Sequence, residues 1–284
     1  MSRLFTFGCS FTRFVCPTWA DILGKEFDFF ENWGRPGSGN QYIFNSLIEC
    51  NKRNKFTPND TIIIVWSTTL REDRYIQQKG GWIGDGNIHW SSIYPSAWKK
   101  EFVCDRGALI RDLATISATI DLLKFWQVKH KMASILPIES GNNDILNLYK
   151  DAIDYLNPCI NDIVFLHNRR SKDFFNVEKT PSKEQIEYLK ESYNQCKGVD
   201  WPDFKVFFNK EYIDADVTND IDNYGLNDSL YSITHENADH PSPKEHLFYI
   251  QQVFPEYQIS ESTVEWINNF KYGQKFEQHL PERL

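Results

Sequence analysis

Short runs of β-branched and aromatic residues, at positions 4–7, 27–33, 61–66 and 133–138, alternate with longer stretches whose apolar residues recur every three or four positions. The first pattern suits a buried strand and the second is the stripe of an amphipathic helix. A helix over residues 40–53 puts Ile43, Phe44, Leu47 and Ile48 together, and one over residues 108–131 gathers Leu109, Leu113, Ile116, Ile120, Leu123 and Trp126. A closing helix over residues 241–254 carries Leu247, Ile250 and Val253, with Pro241 in its first turn, where a missing N–H costs nothing. Alternating strands and helices predict an α/β fold around a mostly parallel sheet.

Two stretches break the alternation. Residues 75–105 are punctuated by glycine and rich in aromatics, including Trp82, Trp90, Tyr94 and Trp98. They follow the third strand, where an α/β protein carries its functional loops. Residues 139–239 are polar, with a helical pattern at 182–196 among loops. Both read as insertions into a single domain spanning residues 1–284.

Bulk composition narrows the function classes. A net charge of −8 with a pI near 5.4 argues against a nucleic-acid backbone or an anionic membrane as the main partner, because both demand a basic face. Cys9, Cys16, Cys50, Cys104, Cys159 and Cys196 are scattered without paired C-x-x-C spacing, which favours free thiols in a reducing compartment. The longest apolar run, Ile62 to Trp66, is far too short to span a bilayer, and no signal-peptide pattern opens the chain. The expectation is a soluble protein, cytoplasmic by default, with a place in an extracellular or virion assembly as the alternative.

The chemistry concentrates at the two ends of this pattern. The first strand runs into Gly8-Cys9-Ser10-Phe11, which puts a hydroxyl at a sharp strand-to-helix exit where backbone N–H groups and a helix dipole meet a forming anion. Far along the chain, Asp239-His240-Pro241 leads into the closing helix. Ser10 and His240 can serve one site only if the first strand is central. A flavodoxin-like strand order makes it so.

In these blocks the chain resembles the SGNH (GDSL-type) hydrolase superfamily, with Gly8-Cys9-Ser10 as its Gly-x-Ser, Asn32-Trp33-Gly34-Arg35-Pro36-Gly37 as its second block and His240-Pro241 as its last. The resemblance implies a three-layer αβα fold and a serine esterase that needs no cofactor and no metal. Ser10 would be the nucleophile and His240 the base. The oxyanion would be held by the N–H groups of Ser10 and Gly37, with the Asn40 side chain as a further donor. The implied substrates are small or carbohydrate-linked esters, O-acetyl groups of a polysaccharide among them, with Trp82, Trp90 and Trp98 stacking on sugar rings.

Two positions depart from that family. After the third strand, Ser67-Thr68-Thr69-Leu70 stands where Gly-x-Asn-Asp is usual, leaving Asn40 or Ser67 as side-chain donor. Asn237 occupies the place of the usual Asp, so either Asp239 orients His240 or the enzyme works as a Ser-His pair. These departures keep open a catalytically reduced glycan-binding or structural module of a larger assembly, and an O-acyltransferase using the same residues. Cys9 is the alternative nucleophile. His235, His240 and His246 with Glu236, Asp239 and Glu245 have the side chains of a metal site but not its spacing, and Gly34-x-x-Gly37-x-Gly39 reverses the dinucleotide-binding order.

Overall fold

A computed structural model of the chain describes residues 2–77, 81–84, 86–89, 91, 93–138, 141–160, 240–270 and 275–281. Among the described residues four strands form one parallel sheet: β1 (Arg3–Phe7), β2 (Phe29–Asn32), β3 (Asp60–Trp66) and β6 (Lys129–Ser134), in the order β2-β1-β3-β6. The first strand is therefore central, as the flavodoxin-like reading requires. β3 is buried along its whole length, which explains its unbroken apolar run Ile62 to Trp66.

Helices cover both faces of the sheet. Phe5, Phe7, Ile62, Ile64 and Trp66 point to one side, where they share a core with Ile43 and Leu47 of α2 (Asn40–Asn54) and Leu109, Leu113, Ile116, Ile120 and Leu123 of α4 (Asp105–Phe125). On the other side Leu4 stands level with Phe30, and Gly24 at the end of α1 (Trp19–Gly24) packs so tightly on the Phe30 ring that a Cβ there would lie 2.2 Å from it. The result is a three-layer αβα arrangement.

Several predicted boundaries move, among them the start of the closing helix, which has Pro243 and not Pro241 in its first turn, after the N-cap Ser242. The helix expected over 108–131 stops at Phe125, because Gln127 takes a left-handed φ of 57° and turns the chain at once into β6. The last strand accordingly runs over Lys129–Ser134 instead of 133–138, with the polar Lys129, His130 and Lys131 paired to Thr61, Ile62 and Ile63. His279 sits beside the end of β2, where its carbonyl accepts the Asn32 N–H at 2.7 Å.

The insertion at 75–105 contains an antiparallel hairpin, β4 (Arg74–Ile76) and β5 (Gly81–Ile83), and the short helix α3 (Ser96–Phe102). The polar insertion begins with α5 (Asn143–Leu148) and α6 (Lys150–Asp154); the helix expected at 182–196 lies outside the described residues. Where the sequence reads as one domain over 1–284, the chain divides into two compact units, Met1–Asp162 with Phe276–Leu284, and Ile163–Lys275. The described part of the second unit holds α7 (Pro243–Val253) and α8 (Glu261–Asn269), which pack on each other. Among the described residues no helix is long and apolar enough to cross a membrane.

Candidate active site

Ser10 lies in a tight turn at the carboxyl end of β1. The Cys9 carbonyl accepts the N–H groups of Thr12 (3.0 Å) and Arg13 (3.1 Å), which closes the turn on itself. Ser10 is buried to 7% exposure, and Cys9 is wholly buried. The expected direct exit into a helix is not what forms: α1 starts only at Trp19, after Pro17, where Asp21 accepts both the N–H and the hydroxyl of Thr18 at 2.9 Å. The backbone N–H groups near Ser10 thus belong to a turn and not to a helix end.

Two hydrogen bonds extend the pairing of β1 and β2 beyond their ends and hold the second block beside this turn. Trp33 N–H donates to the Thr6 carbonyl (2.8 Å), and Arg35 N–H donates to the Gly8 carbonyl (3.0 Å). Gly37 has a φ of 77°, a conformation glycine adopts freely, and its carbonyl accepts the Gly86 N–H at 3.1 Å. A side chain at 37 would also meet the Gly84 carbonyl at 2.9 Å. The glycine loop and the segment that follows β5 are therefore fitted to each other.

Asn40 is committed elsewhere than to an oxyanion. Its amide donates to the Ser67 carbonyl (3.2 Å) and to Asp112 Oδ2 (2.9 Å), while its own Oδ1 accepts the Ser67 N–H (2.8 Å). Both amide protons are used, so the side chain acts as a clasp between α2, α4 and the loop after β3. Asn40→Ala would strand buried partners, each at about 1–3 kcal/mol. We expect its urea midpoint to fall clearly below that of the parent, and an unchanged midpoint would show that the clasp contributes nothing.

The sequence reading missed the ionic frame behind this loop. Asp73 accepts the N–H groups of Gly39 (2.9 Å) and Tyr42 (2.9 Å), filling the N-terminus of α2 with a carboxylate from the protein itself. Arg111 donates from Nε to Asp112 (2.7 Å), from Nη1 to Glu72 (2.6 Å) and from Nη2 to the Arg71 carbonyl (2.9 Å). One signal was available. Asp112 is a charged residue inside the apolar stripe of α4, and such a residue requires a buried partner.

Burial pushes three carboxyls up to about 6: Asp21 against Thr18, Asp73 against the Gly39 N–H, and Asp112 against Arg111. A carboxyl with a raised folded-state pKa holds more protons in the folded protein between its ordinary range and about 6, so stability falls as pH rises through that window. His246 works oppositely, since burial and then the charge of His240 pull it down to about 3. Among the described residues three such carboxyls outweigh one imidazole. The melting temperature should therefore drop between about pH 4.5 and 6, and a rise across that range in fluorescence melts would contradict the assignment.

A cleft of about 1190 Å³ opens between the hairpin and α3. Trp82 and Trp98 line it together with Tyr75, Tyr94 and Phe102, whereas Trp90 lies outside the described residues. Tyr94 stacks on Trp98 with ring centroids 4.8 Å apart, and Trp82 stands edge-on to Tyr75 at 6.0 Å.

In the second unit, His240 is half-buried and precedes a well-capped helix. Ser242 Oγ accepts the Glu245 N–H (3.3 Å) and the Glu245 carboxylate accepts the Ser242 N–H (2.7 Å), a reciprocal cap that fixes where α7 begins. His246 is 1% exposed and uncharged at neutral pH. Asp239 lies outside the described residues, and among those described no three His, Cys, Asp or Glu side chains group as metal ligands. No protein-family model matches the chain, and no curated protein matches it.

Proposed function

We propose that the chain is a serine ester hydrolase acting on small or carbohydrate-linked esters through an acyl-serine. The observation that supports this most is the position of Ser10, in a closed turn at the carboxyl end of the central strand with the Gly34–Gly37 loop hydrogen-bonded to Gly8. Open α/β sheets bind ligands at that edge.

In this reading Ser10 Oγ attacks the ester carbonyl carbon and its proton passes to the base. The alcohol leaves with that proton, and water then attacks the acyl-serine in the reverse sense. His240 is taken as the base on its sequence block, and Asp239 as the residue that orients it. Backbone N–H groups of Ser10 and Gly37 carry the oxyanion, and Asn40 holds the Ser67 loop instead of donating. One oxyanion donor fewer costs about 3 kcal/mol, so a slow enzyme is expected.

A serine-reactive fluorophosphonate tests the proposal directly. Peptide mass spectrometry should find a single adduct on Ser10, lost in His240→Ala. An adduct on another residue, or none on folded protein, overturns it. The commitment of the Asn40 amide favours one second reading, a glycan-binding module with reduced catalysis; glycan binding without any adduct is its signature.

A further inference from the structure

The cleft between the β4–β5 hairpin and α3 has walls and a floor of different chemistry. Both walls present aromatic faces to solvent: Tyr75 is 51% exposed and Phe102 61% exposed, and α3 has no buried residue at all. A helix whose aromatics stay outside the core gains little from folding in that position. Trp98 and Phe102, one turn apart on α3, set their rings 5.5 Å from each other and tilted by 35°, so they form an extended apolar surface and not an isolated residue.

The floor is ionic, and its acidic groups are already engaged by the protein. Glu72 is held by Arg111 at 2.6 Å through one oxygen and by Arg74 at 2.6 Å through the other. Arg111 has all three nitrogens committed, to Asp112, Glu72 and the Arg71 carbonyl. Asp73 is spent on α2. Arg71 donates from Nη1 to the Ser38 carbonyl, and the Arg111 fork, the most fully bonded of the three guanidinium groups, is closed to an incoming carboxylate or phosphate. An acyl chain fits no better. It would bury this ion-pair network and return no hydrogen bonds.

A neutral sugar chain satisfies both requirements, since its ring faces stack on aromatics while its hydroxyls bridge planar groups such as the Arg74–Glu72 pair. We infer that this cleft is a binding site for a neutral oligosaccharide segment. Neither Ser10 nor Gly37 lines the cleft, so the affinity for the glycan does not depend on catalysis. The inference rests on the esterase proposal only in taking the bound glycan as the carrier of the ester.

The full chain carrying Ser10→Ala, titrated calorimetrically with neutral hexasaccharides of glucose, xylose and N-acetylglucosamine in β-1,4 linkage and of glucose in α-1,4 linkage, tests it. At least one should bind, with affinity changing less than twofold between 50 and 300 mM NaCl. Tyr75→Ala and Phe102→Ala, at exposed positions that leave folding intact, should each weaken it at least tenfold. The site is overturned if none of the four binds, if both variants bind as the parent does, or if polygalacturonate or palmitate binds in place of the neutral chains. Binding that persists in protein giving no fluorophosphonate adduct removes the esterase and keeps the cleft. Ester turnover without glycan binding does the reverse.

Discussion

Ser10→Ala is expected to abolish turnover of a short-chain activated ester, a loss of at least about three orders of magnitude, since in the proposed mechanism no other group forms the acyl intermediate. Its melting temperature should stay within a few degrees of the parent, because the change removes one hydroxyl from a site 7% exposed and leaves core volume almost intact. The adjacent thiol supplies the control. Cys9 is wholly buried and its carbonyl closes the turn through Thr12 and Arg13, so its side chain belongs to the packing. Cys9→Ala should lose some stability and keep its turnover per folded molecule. Active Ser10→Ala with inactive Cys9→Ala would reverse the assignment of the nucleophile. His240→Ala should resemble Ser10→Ala in rate, and retention of full activity there would remove His240 as the base.

The sheet was legible where burial dictates composition. β3 lies between two neighbours and under both helical layers, so every residue from Thr61 to Trp66 is apolar or uncharged and the run is unmistakable. β6 lies at the other end of the same sheet and starts with three polar residues, so its pairing to β3, not its own hydrophobicity, decides where it begins. Local pattern cannot convey that. The turns at Ser10 and Gly37 were readable because a strand end and a glycine turn leave signatures within ten residues. The role of Asn40 was not, since it depends on Asp112, which is 72 positions away and meets it only once α2 and α4 have packed. The same distance in sequence hides Asp73: its capping of α2 spans 34 residues and replaces the anion that a free helix N-terminus would otherwise attract. Long-range polar contacts of this kind have no period and no motif. Charged residues at apolar-stripe positions, as Asp112 is, are the one trace they leave.

Gly8→Ala is expected to be among the most damaging single changes to the fold, although it adds one methyl group. A Cβ at position 8 would lie 2.0 Å from Thr12 Oγ1 and 2.9 Å from both Thr12 Cβ and the Val65 carbonyl. Neither neighbour can yield cheaply. Thr12 is wholly buried, and its carbonyl is held by the Thr18 hydroxyl (2.6 Å) and the Asn32 amide (2.9 Å). Val65 lies in the interior of β3, paired to Ala133. Overpacking a rigid site costs about 1–3 kcal/mol and more where backbone must move, so the loss should reach or exceed the upper end. Relief demands that the turn carrying Ser10 swing away from the strand end, which also shifts the Gly8 carbonyl that anchors Arg35. Activity per folded molecule should therefore fall with stability, an effect that plain core damage does not produce. Thr12→Gly in the same chain removes two of the three clashes and should recover part of the lost urea midpoint, though not all, because the Val65 carbonyl remains. A Gly8→Ala protein with parental midpoint and turnover would mean that the strand exit is not crowded and that the turn does not fix the position of Ser10.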